Sequence, residues 1–192
     1  METTNSLLDR LRESDDDAWR RFVAIYTPLI RGWLERRGLG SADADDVAQD
    51  VMAVVVRRVP EFQRERLGSF RAWLRAITAN QIQSFWKRRR RRTPGVGGDA
   101  FVAIAEELAD PASGMSRCWD DEYNGHLTRL LLEAVRPRFR EGTWAAFQGL
   151  VLQGKPAEEV AGDLGMTVNA VQVAKSRVLS ALRSEGEGLL DD

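Results

Sequence analysis

The chain has 192 residues, 43% hydrophobic and 30% charged, enough apolar content to bury a core and too much for global disorder. Net charge is −1, but residues 1–50 carry 7 basic and 11 acidic side chains, residues 51–92 carry 12 and 2, and residues 93–192 carry 9 and 16. A basic block between two acidic ones points to a polyanionic partner. A single cysteine, Cys118, excludes an intramolecular disulfide and fits a reducing cytoplasm. The opening METTNSLLDRLRESDDD lacks an apolar core of signal-peptide type, and no apolar run approaches a membrane span, so a soluble cytoplasmic protein without membrane insertion is expected.

Strand signals are nearly absent and a 3.6-residue period dominates, which predicts an all-α fold. The first strong helix begins near Ser14, with Asp15 to Asp17 placed to favour its positive N-terminus. Trp19, Phe22, Val23, Tyr26 and Ile30 form its apolar stripe, and Pro28 stands where it could break or kink the helix. Gly38-Leu39-Gly40 is a stop. Ser41 reads as the N-cap of a second helix, ADADDVAQDVMAVVVRRV, closed by Pro60. Its Asp43, Asp46 and Asp50 share one side by i, i+3, i+4 spacing, with Gln49 adjacent. The loop EFQRERLGS follows, carrying Arg64, Arg66 and Ser69.

A long helix is then predicted from Ser69 to Arg92, with Phe70, Trp73, Leu74, Ile77 and Ile82 on its apolar side. It ends in Lys87 and five consecutive arginines, Arg88 to Arg92, where the helix dipole favours cations. Thr93-Pro94-Gly95 terminates it. Residues 93–117 read as a flexible linker, rich in Pro, Gly and Ser around a short apolar-acidic piece. A second helical unit begins near Trp119.

In that unit KPAEEVAGDLGMTVNAVQVAKSRVLSALR carries the clearest pattern. Pro156 fits a first turn, Glu158 and Glu159 suit a helix N-terminus, and Val160 and Leu164 are expected to face inward. Gly165 breaks the helix where a turn needs positive φ, and Thr167 is a plausible cap for the next one. There Val171, Ala174, Val178 and Leu182 form one stripe, while Asn169, Gln172, Val173, Ser176 and Ser180 fall opposite, flanked by Lys175, Arg177 and Arg183. Short helix, glycine turn and polar-faced helix are the parts of a DNA-binding helix-turn-helix. Asn and Gln can pair with adenine edges, and Lys and Arg with phosphates or guanine. The same spacing also fits an ordinary αα-hairpin with a solvated face, and the acidic and aromatic-basic helices, taken singly, fit a solvated helix start and a core stripe.

The order is more specific than any one part: acidic helix, GSFRAWLRAITANQIQSFWKRRRR, linker, terminal helix-turn-helix. In this order and length the chain resembles the ECF (extracytoplasmic-function) family of bacterial RNA polymerase sigma factors, over about residues 14–92 and 119–184. The resemblance implies two small helical domains, region 2 over 1–92 and region 4 over 118–192, joined by the linker. The family's D-x-x-Q-[DE] core aligns with Asp46, Gln49 and Asp50; with Asp43 these would dock on the clamp helices of the polymerase's largest subunit. The loop from Gln63 to Ser69 would capture a flipped base of the −10 element. Arg64, Arg66, Ser69, Arg71, Asn80, Ser84, Lys87, Arg88 and Arg91 would face that element. Thr167, Asn169, Gln172, Val173, Lys175, Ser176 and Arg177 would read the −35 element. The chain departs from the family at Ser84, where an aspartate is frequent, and at Phe85-Trp86, which replace a smaller pair. Many members are held inactive by an anti-sigma factor, and nothing in the sequence identifies one.

No catalytic set is expected. His126, the only histidine, reads as a helix-surface residue, one Cys and one His do not make a zinc site, and PGVGG lacks the Gly-Lys-[Ser/Thr] of a phosphate loop. The expectation is a promoter-specificity factor, without cofactor or metal, rather than an enzyme. The runner-up, a helix-turn-helix regulator binding duplex DNA without polymerase, leaves the acidic helix and the loop without a role. Charge alone further suggests that the acidic linker, residues 99–117, occupies the basic surface in the free protein.

Overall fold

A computed structural model describes residues 7–13, 15–63, 69–92 and 98–186, and every regular element among them is helical. The helices are α1 (Leu7–Arg12), α2 (Asp16–Arg36), α3 (Ser41–Arg58), α4 (Ser69–Arg92), α5 (Asp99–Ala109), α6 (Gly114–Val135), α7 (Glu141–Phe147), α8 (Ala157–Leu164) and α9 (Val168–Gly186). Short 3-10 turns follow α3 and α6, and a π turn, Gln148–Leu152, follows α7. The chain forms two compact units that divide between His126 and Leu127. No helix among the described residues is long and apolar enough to cross a membrane.

In the first unit, α2 is the central element. Asp15 caps it, its Oδ1 accepting from the Asp17 and Ala18 amides at 2.9 and 3.2 Å. The buried stripe is Ala18, Phe22, Ile25, Tyr26, Leu29, Ile30, Trp33 and Leu34. Val23, expected in that stripe, is 42% exposed, because it falls one residue off the helical repeat set by Phe22 and Tyr26. Pro28 does not break the helix: burial of Tyr26, Leu29 and Ile30 around it outweighs one lost backbone hydrogen bond. Near it, His126 Nε2 lies 2.8 Å from the Ile25 carbonyl oxygen. A carbonyl only accepts, so Nε2 carries the proton, and the expected surface histidine is instead a part-buried tie between α6 and α2.

At the start of α3, Gly40 holds the N-cap position and Ser41 is already helical. The Ser41 hydroxyl accepts from Arg31 at 2.6 Å rather than capping its own helix. The α3 side buried in the unit is Ala44, Val47, Ala48, Val51, Met52 and Val55.

The segment expected as a flexible linker contains α5, and α6 begins inside it. Leu108 and Ala105 are fully buried, and Phe101 stacks on Trp86 at 5.0 Å and 13°. Gly98 makes that approach possible: its φ is +149°, and a Cβ there would meet the Trp86 ring at 2.5 Å. The beginning of α6 belongs to the first unit as well. Trp119 packs edge-on to Trp33 at 5.3 Å, and the Tyr123 and Tyr26 hydroxyls lie 3.2 Å apart. These apolar anchors explain why the units divide nine residues beyond 117 rather than there. Glu122 pairs with Arg36 and, at 2.8 Å, with Arg37. Burial pushes its carboxyl up, but hydrogen bonds from the two guanidinium groups outweigh burial and hold it below its ordinary value.

The second unit is built around α7, α8 and α9. One cluster joins Ala146, Val160, Ala161, Val171 and Ala174; another joins Val135, Trp144, Phe147 and Val178, with Leu182 packed against it. Leu164, expected inward, is 37% exposed, and Ala161 takes the buried position beside Val160.

Candidate nucleic-acid interface

Helix α4 turns two chemically different sides. Phe70, Leu74, Ile77, Thr78, Ile82, Phe85 and Trp86 are buried, whereas Asn80, Lys87, Arg88 and Arg91 are exposed, with Ser84 half-buried. Positions 80, 84, 87, 88 and 91 recur at helical spacing, so the structure brings five of the predicted −10 residues onto one side of one helix. Ser69 and Arg71 lie in its first turn. Arg64 and Arg66 fall outside the described residues, as do Thr93 to Gly95.

The arginine-rich end is not uniformly available. Arg88 pairs with Asp50 at 2.5 Å, Arg89 with Asp43, and Arg90 with Asp99. Arg89 also lies over Phe85 and Trp86, 5.7 and 5.4 Å from their ring centres. Arg91 and Arg92 are exposed and make no ion pair among the described residues. Asp43, Asp46, Gln49 and Asp50 therefore border the same open cleft as Phe85, Arg88, Arg89 and Arg92. On the acidic helix Asp43 and Asp50 are engaged, while Asp46 and Gln49 are exposed. The acidic block downstream meets the basic helix at particular points: Asp99 takes Arg90, and Asp120 takes Arg71 and Arg75 at 3.2 and 3.1 Å. Asn124 also accepts from Arg71, at 2.9 Å. Arg75, absent from the sequence-based set, is only 7% exposed; an arginine on the apolar side of the helical repeat was the available signal.

In the second unit, α8 ends as the glycine predicts. Gly165 has φ 61° and ψ 32°, the Met166 amide donates to Ala161 O at 2.9 Å, and the Gly165 amide donates to Gly162 O at 3.4 Å. This pair of bonds is a Schellman closure, which stops the helix within one residue. Thr167 caps α9, its hydroxyl accepting from the Ala170 amide at 3.1 Å. Val171, Ala174 and Val178 are buried, and Asn169, Gln172, Val173, Ser176, Arg177 and Ser180 are exposed, with Lys175 half-buried at the margin. The polar face read from the sequence is thus solvent-facing on a capped helix that follows a tight turn.

Comparison with known proteins bears on the family of the chain. A family model for sigma-70 region 2 matches residues 22–92. The chain is 30% identical over 176 residues to the ECF RNA polymerase sigma factor SigD of Mycobacterium tuberculosis, covering 86% of this chain and 72% of that protein. It is 26% identical to the RNA polymerase sigma factor CarQ of Myxococcus xanthus, over 92% of this chain and 93% of that one. It is also 26% identical to the ECF RNA polymerase sigma factor BldN of Streptomyces coelicolor, over 92% of this chain and 63% of that one. An acidic helix beside a basic one, a capped helix-turn-helix, and these matches along most of the chain lead to one conclusion: the chain belongs to the ECF family of RNA polymerase sigma factors, which direct promoter-specific transcription initiation.

Proposed function

We propose that the first unit, read as region 2, binds both core polymerase and the −10 element, and that the second unit, read as region 4, reads the −35 element. On α3, Asp43, Asp46, Gln49 and Asp50 dock on the clamp helices of the largest polymerase subunit. On and before α4, Arg64, Arg66, Ser69, Arg71, Asn80, Ser84, Lys87, Arg88 and Arg91 engage the −10 strand. Extruding one base costs a few kcal/mol, so a site that holds it shifts the duplex toward the open state. The arginines add affinity through phosphates without reading sequence. On α9, Thr167, Asn169, Gln172, Val173, Lys175, Ser176 and Arg177 enter the major groove. The protein acts in the cytoplasm, and an anti-sigma factor is the kind of regulatory partner that the family resemblance implies for many members.

The observation that supports the reading most is the exposed, capped α9 face beyond the Gly165 turn. Each good side-chain-to-base pairing contributes about 1–3 kcal/mol of discrimination. Replacing Asn169 and Gln172 by Ala is therefore expected to relax −35 base preference about tenfold or more, while affinity of the holoenzyme for competitor DNA changes little. Binding competition over a set of single-base −35 variants reads this; an equal loss on every sequence would mean that the pair contacts backbone only.

A further inference from the structure

Val173 is 41% exposed on a helix side otherwise made of hydrogen-bonding groups. At 100° per residue, Asn169 and Ser176 point almost directly away from the buried Val171, Ala174 and Val178. Gln172 and Val173 lie to either side of that central line, whereas Val168, the other exposed valine of α9 at 39%, falls at its margin. Nothing local favours a valine here: it is β-branched, a weaker helix former than Ala or Gln, and most of its partners would be water. Lys175 and Arg177 on the flanks supply charge of the sign that a phosphate backbone requires.

The major groove offers one apolar group to such a side chain, the 5-methyl of thymine. A hydrogen-bonding neighbour, Gln172, can meanwhile satisfy the N6 and N7 of an adenine. We infer that Val173 is a specificity-determining residue that reads the 5-methyl group of one thymine in the −35 element, beside an adenine read by Gln172. The inference rests on the proposed reading of the second unit and deepens it by naming the base.

The test uses full-length protein assembled with bacterial core RNA polymerase. Promoter duplexes are selected from a pool randomised over the −35 segment, and each thymine of the selected segment is then replaced in turn by deoxyuridine, which removes only the methyl. One substitution should weaken binding about fourfold, the factor that burying one methyl-sized group contributes. Val173→Ala, at an exposed site and in a residue that favours helix, should bind the thymine duplex about as weakly and lose the difference between thymine and deoxyuridine at that position. Val168→Ala should keep the difference. Selection of a −35 sequence with no deoxyuridine effect, or an effect that survives Val173→Ala or vanishes with Val168→Ala, overturns the assignment while leaving the −35 reading in place. Loss of affinity for core polymerase in Val173→Ala, with an unchanged deoxyuridine effect, would make Val173 a protein contact and overturns it too. Failure to select any −35 sequence overturns the reading of the second unit itself, and the inference with it.

Discussion

Reversing one charge, Asp46→Lys, is expected to weaken binding to core RNA polymerase by roughly tenfold to a hundredfold, while the first unit stays folded. Asp46 lies between Asp43 and Asp50 on one side of α3, but its two neighbours already face Arg89 and Arg88. Asp46 and Gln49 are the exposed groups of the four, so the acidic side presents its unneutralised charge at Asp46. A partner surface complementary to that side is basic, and a lysine at position 46 replaces attraction with like-charge repulsion, for which tenfold to hundredfold corresponds to about 1.4–2.7 kcal/mol. Because Asp46 makes no ion pair among the described residues and is exposed, the substitution removes little from the fold. Asp45→Lys is the matched control: Asp45 pairs with Arg31 at 3.1 Å, outside the cleft shared with the arginines. Titration of labelled protein with core polymerase, checked by circular dichroism, measures the outcome. Equal affinities for wild type and Asp46→Lys would move the polymerase contact off this side of α3.

Trp33→Ala is expected to destabilise the first unit by about 3–5 kcal/mol, the usual range for emptying a buried tryptophan site. Trp33 is fully buried, edge-packed on Trp119 and covered by the Arg37 guanidinium at 4.7 Å. It ties α2 to the beginning of α6, so its loss should release residues 114–126 as well as open a void. Trp33→Phe should cost clearly less. The indole Nε1 atoms of Trp33 and Trp119 are buried without an acceptor among the described residues, and phenylalanine removes one such donor along with the lost volume. Urea denaturation of the three proteins gives the order wild type, Phe, Ala. An alanine variant within about 1 kcal/mol of wild type would mean that the start of α6 does not depend on this ring.

The long elements and the solvent-facing sites were legible in the sequence because periodicity and turn chemistry are local. The family resemblance, not the repeat, singles out Asn80, Ser84, Lys87, Arg88 and Arg91; the 3.6-residue repeat then puts them on one side of α4. Gly165 and Thr167 announce their turn and cap by residue type alone. What was not legible depends on partners far along the chain. Periodicity places Asp43 and Asp50 on one side of a helix, but nothing local says that the opposing charges are Arg89 and Arg88. The Gly and Pro around residues 93–98 read as linker, whereas the buried Ala105 and Leu108 show a helix whose short apolar stripe needed α4 to be visible as core. His126 carried no local signal for the Ile25 carbonyl, and Ser41 was misplaced by one residue because Gly40 can serve as a cap position without a side chain.

The pairing of Arg88 and Arg89 with α3, and of Arg71 with Asp120, also bears on the free protein. Two groups proposed for DNA phosphates, Arg71 and Arg88, are paired with the protein's own carboxylates, and so is their neighbour Arg89. The Arg88–Asp50 pair, the most exposed of them, contributes little to stability, so exchanging it for a phosphate carries a small penalty. The basic helix end can therefore be neutralised in the free chain and still be available in the complex.

The most direct measurement places a photo-crosslinking side chain at Asn80 in one protein and at Gln172 in another, each assembled with core polymerase on a promoter duplex. The expected result is a crosslink from position 80 to the −10 segment and from position 172 to the −35 segment, both dependent on core polymerase. Crosslinks from both positions to one segment, or equal crosslinking without polymerase, would contradict the assignment of the two units to the two promoter elements.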